Sequence, residues 1–299
     1  MRRAILALLL AAMAFPGRAE TNCKAAPSGG FVEAGQGVRV HVRTIGAGRP
    51  VLFIPSLARG VADFDEVATR LGEHGFLAIL PDPRGAGETT GPAPASLFDL
   101  AHDAQAVAES LCDGPVDVVG HAFGNRVARA LATSAPKAVR NVVLLAGGGK
   151  ARPLPQVGNS VALAASEGQF PEEKRLQALQ TAFFASGHDA RAWLTGWSIQ
   201  ARDYQGLAGR GSSVEQWWKG GAAPILLVQA EEDPVAPAGN AEDLRKDIGD
   251  RLTLVTLRRA SHAILPEQPE AVVWLLERYL SGERNEAALQ QGSDLRIRP

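Results

Sequence analysis

Little in this chain of 299 residues points to a charged partner, a metal or a cofactor. Lysine and arginine (31) almost balance aspartate and glutamate (32), so the net charge is −1. That gives no reason to expect nucleic acid or an anionic membrane as partner. The six histidines are scattered, and none forms a ligand spacing such as His-Glu-x-x-His. The glycine-rich stretches do not match dinucleotide or phosphate loops. No internal repeat or low-complexity segment appears, and after the first residues no apolar run is long enough to cross a bilayer. Cysteine is reduced to a pair, Cys23 and Cys112.

The start has a pattern of its own. Met1-Arg2-Arg3 is basic, Ala4 to Phe15 is apolar, and small residues stand at Gly17 and Ala19. This predicts a secretory signal over residues 1–19, cut after Ala19, and hence a secreted or periplasmic protein. In an oxidising compartment an even cysteine count favours a Cys23–Cys112 bridge, which would pin the N-terminal segment to the helix before residue 116.

The rest has ordinary globular composition, 45% hydrophobic and 21% charged, and length alone allows one or two domains. Residues 20–30 read as a mobile polar lead-in. Val38 to Arg43 alternates as a half-exposed strand does. Val51–Ile54, Phe76–Leu80, Val116–Val119, Val142–Leu145, Ile225–Val228 and Leu252–Leu257 are short apolar runs, as strands buried on both faces appear. Helical spacing separates them at Phe64–Leu71, Leu97–Leu111, Asn125–Ala132 and Val272–Leu280. This rhythm predicts an α/β protein with a mostly parallel central sheet flanked by helices. From 150 to 221 the strand signal stops, and four of the five tryptophans fall there. That section is predicted to be a helical insertion. Residues 282–299 are expected to be a loosely ordered polar tail.

One turn organises the chain: Val118-Val119-Gly120-His121-Ala122-Phe123-Gly124-Asn125. A strand enters it, a helix leaves it, and two glycines bracket a single residue. It resembles the nucleophile elbow of the α/β-hydrolase superfamily, in which a serine stands on a strained strand-to-helix turn. Here the centre is Ala122, so the attacking hydroxyl is missing. The resemblance implies an acid and then a histidine further along. Asp233, before Pro234-Val235, matches the acid, with Glu231 and Glu232 as alternatives nearer the strand end. His262, in Ala260-Ser261-His262-Ala263, matches the histidine. Ile54-Pro55-Ser56-Leu57 takes the place of the oxyanion segment, which puts the amides of Leu57 and Phe123 at one spot. Asp82-Pro83-Arg84-Gly85-Ala86-Gly87 resembles a structural signature of the same superfamily.

It also implies a hydrolase core over 20–149 and 222–281, with the insertion 150–221 as a cap. Some of the cap's aromatics, Phe183, Trp193, Trp197 and Trp218 being the candidates, would line a pocket together with Ser56. Ser56 is a conceivable replacement nucleophile, and more simply a loop hydroxyl bonded to its own backbone. His121 is expected to be structural. The function this implies is cofactor-free, metal-free chemistry on a small, largely apolar carbonyl compound (an ester, lactone or enolisable ketone), with His262 and Asp233 as the base. Two other readings stay open. One is a non-catalytic ligand-binding protein, the other a serine esterase in which Ala122 replaces a native serine.

Overall fold

The computed structural model describes residues 21–27 and 30–298. The signal-like segment therefore lies outside the described residues. Among them are eight strands: β1 (Phe31–Gly35), β2 (Val38–Gly46), β3 (Arg49–Ile54), β4 (Phe76–Pro81), β5 (Val116–His121), β6 (Val139–Leu145), β7 (Ile225–Ala230) and β8 (Leu252–Leu257). They form one sheet in the order β1-β2-β4-β3-β5-β6-β7-β8. The β1–β2 and β2–β4 pairs are antiparallel and the rest are parallel.

The helices in chain order are α1 (Asp65–Glu73), α2 (Leu97–Leu111), α3 (Phe123–Ser134), α4 (Pro155–Ala164), α5 (Glu172–Ala182), α6 (Ile199–Arg210), α7 (Val214–Trp217), α8 (Gly239–Ile248), α9 (Ile264–Glu267), α10 (Pro269–Leu280) and α11 (Glu286–Asp294). Because side chains alternate across a strand, β3 sends Leu52 and Ile54 to one face and Val51 and Phe53 to the other. The first pair packs with Leu100 and Val107 of α2 and Val127 and Leu131 of α3. The second packs with Val67 and Leu71 of α1 and Val272, Leu275 and Leu276 of α10. The sheet is thus covered on both sides, as its continuous apolar runs require. Between β6 and β7, helices α4 to α7 form the insertion, with its own core around Leu179, Phe183, Phe184 and Trp193.

Two expectations are corrected, and one strand is added. The lead-in is anchored: Cys23 is bonded to Cys112, and Lys24 N–H donates to Leu111 O (2.9 Å) while Asp113 N–H donates to Asn22 O (3.0 Å). β1 was not foreseen, because only Val32 and Ala34 of its five residues are buried inward. The tail after 282 carries a helix, α11, whose Leu289 is fully buried. α11 covers the open edge of β8. Glu286 Oε1 accepts from Leu254 N–H (2.7 Å), and Gln290 pairs with both the N–H (2.9 Å) and the O (2.8 Å) of Thr256. An uncovered edge strand would leave those groups unpaired.

Candidate active site

β5 delivers Ala122 to the end of the sheet, and α3 starts on the next residue. Ala122 has φ 50° and ψ −110°, a conformation that costs a residue with a Cβ on the order of 1–3 kcal/mol. The bracketing glycines are steric necessities. A Cβ at Gly120 would lie 2.5 Å from Gly124 O, and one at Gly124 would lie 2.1 Å from Ile54 O. Strand, helix and the loop after β3 can meet this closely only without those side chains. The turn is tied further by Ala122 N–H to Leu145 O (3.0 Å) and by Asn125 Nδ2, which donates to Ala122 O. Arg129 in turn donates to Asn125 Oδ1.

Asp233 and His262 come from the loops after β7 and β8. His262 Nδ1 and Asp233 Oδ2 are 2.8 Å apart, and both residues are buried. The other carboxylate oxygen, Oδ1, accepts from Val235 N–H (2.8 Å) and Ala236 N–H (2.9 Å). Those donors follow from the Pro234-Val235-Ala236 turn, which bends the chain back over the acid. Glu231 and Glu232 instead face backbone amides, of Arg259 (3.3 Å) and Ser186 (3.4 Å). With Asp233 on Nδ1, Nε2 of His262 makes no hydrogen bond among the described residues.

The histidine loop is held from three sides. His121 Nε2 is 2.8 Å from His262 O, Ala263 N–H donates to Phe183 O (2.7 Å), and Glu267 accepts from Ser261 N–H (2.7 Å) and from Ala185 N–H (2.6 Å). Burial pushes the Glu267 carboxyl up to about 7, against these two donors. His121 is fully buried, and its Nδ1 has no partner among the described residues. Burial first, then the neighbouring His262 ring, pull its pKa down from 6.5 to about 3. His121 is therefore a neutral ring donating from Nε2, a structural tie rather than a base. The unfolded chain takes up a proton near pH 6.5 and the folded one does not, so His121 lowers stability as pH falls below that value. His121→Gln keeps a donor near the same place without the titration. Urea melts at several pH values should show the variant losing less stability, by about 1.4 kcal/mol per unit between roughly pH 6 and 4.

Ala122 and His262 line one cavity of about 420 Å³ with Leu57, Phe123 and Ser56. Phe123 begins α3, so its N–H has no acceptor within the helix. Among the described residues the Leu57 N–H makes no hydrogen bond, while the next amide, Ala58 N–H, is fixed by Gln205 Oε1 of α6 (2.6 Å). Two uncommitted amides thus flank the cavity that Ala122 and His262 share. The Ser56 hydroxyl makes no bond to its own backbone among the described residues, contrary to the simpler expectation.

Phe183 and Trp197 are on the cavity wall, but Trp193 and Trp218 are not. Trp193 is packed behind the wall, 5.4 Å from the Phe183 ring and 5.8 Å from that of His121. Trp218 lies over the guanidinium of Arg129 (4.7 Å) and donates from Nε1 to Asp247 (2.8 Å), beside a glycine, Gly149, that leaves room for its ring. Asn125, Arg126, Gln205 and Arg210 also reach the cavity, and the sequence reading did not single them out. The α3 pair stands three and four residues past Ala122, on the same helix face, a spacing that could have found them.

The model of the Alpha/beta hydrolase family matches residues 51–273. The chain belongs to that family. This α/β hydrolase is 23% identical over 269 residues to the AB hydrolase superfamily protein YisY of Bacillus subtilis (strain 168), covering 84% of this chain and 98% of that one. It is 29% identical over 157 residues to a protein of Mycobacterium phage D29 named as a non-heme haloperoxidase. That match takes in 52% of this chain and spans only 55% of the phage protein. Among solved structures it superposes on an esterase from Exiguobacterium antarcticum with TM-score 0.71 and 20% identity, over 84% of this chain and 99% of the other. At that identity the likeness speaks for the fold alone. Among the described residues no helix is long and apolar enough to cross a membrane, and no group of three or more His, Cys, Asp or Glu is placed to hold a metal.

Proposed function

We propose that this α/β hydrolase acts on a small, largely apolar carbonyl compound by base catalysis from His262, without a covalent intermediate. The supporting observation is that the Asp233–His262 pair and the strained elbow persist around one cavity although Ala122 carries no nucleophile. A protein retaining only a binding role has no use for a carboxylate on the far nitrogen of a histidine unless the pair holds the ligand.

In this reading His262 Nε2 takes a proton either from water or from carbon next to the carbonyl. In the first case hydroxide adds to the carbonyl carbon, the bond to the leaving oxygen breaks, and imidazolium returns the proton to that oxygen. In the second the electron pair moves onto the carbonyl oxygen as an enolate. In both, negative charge develops on one oxygen, where the Leu57 and Phe123 amides donate. Asp233 holds the tautomer and steadies the imidazolium. The aromatic insertion serves as the cap that keeps bulk water out.

The test is a panel of short esters, lactones and enolisable ketones with the parent protein and His262→Ala. The variant is expected to lose about 10²- to 10⁴-fold in kcat/KM on the compound turned over best. Unchanged rates would eliminate the base, and tight binding with no product would favour a ligand-binding protein instead. We also propose export to an oxidising compartment, which the Cys23–Cys112 bond supports; cell fractionation tests it.

A further inference from the structure

The cavity beside His262 is cationic to a degree that an apolar carbonyl compound does not explain. Helix α3 carries Arg126 and Arg129 just beyond the elbow. Arg129 is fully buried between the Trp217 ring (4.6 Å) and the Trp218 ring (4.7 Å). Its donors go to Asn125, Gly148 O and Trp218 O (3.2 Å), all uncharged acceptors. Arg126 is half-buried on the cavity wall. Its guanidinium carbon sits 5.7 Å from the Phe123 ring and 6.0 Å from that of Trp217. Among the described residues it has no hydrogen bond and no ion pair.

Arg210 reaches the same wall from α6, and its side chain is exposed at the mouth. Among the described residues no aspartate or glutamate lines the cavity. Three acids around it are already engaged. Asp233 holds His262 and two amides, Asp203 pairs with Arg202 (3.0 Å), and Asp247 pairs with Lys150 and Trp218. Burial, and then the charge of Arg152, pull the Arg126 pKa below its usual value. A half-desolvated cation without a counter-charge is costly, and an incoming anion relieves that cost. Gly209 faces the guanidinium across the wall, where a Cβ would make only ordinary contact with it (3.9 Å).

We propose that the cavity takes a small carboxylate, with the anionic group on Arg126, assisted at the rim by Arg210, and the remainder of the molecule extending toward Ala122 and His262. Arg126 stands four residues past Ala122, about 6 Å along the helix axis. A molecule reaching both ends is therefore a short acid, its carboxylate a few bonds from any reacting carbonyl. That last clause rests on the function proposed above, whereas the anion site does not. A guanidinium fits a planar carboxylate with two parallel N–H donors.

The experiment is calorimetric titration with two probes of the same shape, phenylacetate and the neutral phenylacetamide. Phenylacetate is expected to bind the parent protein roughly tenfold more tightly. Arg126→Gln should erase that preference by weakening phenylacetate alone, Arg126→Lys should retain part of it, and Arg210→Gln should reduce it less. Equal binding of the two probes, absence of binding by both at millimolar concentration, or a preference that survives Arg126→Gln would each overturn the proposal. If Arg126→Gln does not fold, Arg126→Lys against the parent carries the comparison. His262→Ala separates the two readings. A preference that persists there belongs to the arginines and stands even if the variant turns over substrate at the parent rate, whereas a preference lost there belongs to a protonated His262 and overturns the assignment.

Discussion

Replacing Ala122 by serine is expected to raise turnover of a short aryl ester, 4-nitrophenyl acetate, by about a thousandfold over the parent chain. Removing the serine from a comparable triad costs roughly a millionfold, and a cavity adapted to another substrate recovers only part of that. The turn that would carry the hydroxyl is already formed. The backbone at Ala122 is held at φ 50° by its neighbours rather than by its own side chain. Gly120 and Gly124 permit the approach, Leu145 accepts its N–H, and Asn125 donates to its O. A side chain one atom longer extends into the cavity that His262 already lines. The gain should vanish in the double variant Ala122→Ser, His262→Ala, because nucleophile and base act as a unit. A folded single variant with no gain would mean that His262 Nε2 and the introduced hydroxyl do not meet, and the proposed base would lose its geometric support.

That the residues can be named in advance has a local cause. Asp233, His262, Leu57 and Phe123 each follow a short apolar strand whose run and stop are plain in the sequence. The parallel sheet then brings those strand ends to one edge. Asp233 stands out from Glu231 and Glu232 because Pro234 forces a turn that returns two amides to its carboxylate. Where contact partners are far apart in sequence, nothing local announces them. Gln205 fixes Ala58 from 147 residues away. Trp193 and Trp218 look alike as insertion aromatics, yet one is packed behind the cavity and the other covers Arg129. α11 was concealed by its lack of an apolar stripe. Leu289 is its one large apolar residue, but Gln290 imitates a strand neighbour, and Gly292 lets the Trp274 ring lie where a Cβ would sit 1.9 Å away.

Asp117 is the buried charge on which the sheet depends most, and Asp117→Ala is expected to destabilise the chain by about 3–5 kcal/mol. In sequence it is an anomaly, an acid inside the apolar run that enters the elbow. In the structure it is fully buried in β5 at the end opposite Ala122. Arg49 reaches it with two nitrogens (2.6 and 3.2 Å), Arg140 with one (3.2 Å), and Asn141 Nδ2 with another donor (2.6 Å). Asn141 passes the link on, its Oδ1 accepting from Arg284 (2.8 Å). One carboxylate therefore joins β3, β5, β6 and the segment after α10. Removing it takes the acceptor from the Arg49 guanidinium and from the Asn141 amide, while Arg140 keeps Thr21 Oγ1 (2.7 Å) and Pro115 O (2.6 Å), and a buried donor left without its acceptor costs more than the pair itself contributes. For a chain of this size that corresponds to a fall in Tm of roughly 10 °C. Asp117→Asn keeps the shape and one acceptor and should fall between the two. Thermal melts of both variants decide it. A loss below about 1 kcal/mol for Asp117→Ala would show that the arginines find water or other partners instead. Because β5 runs directly from Asp117 to Ala122, the same variant should also lower turnover after Ala122→Ser, without any contact to the cavity.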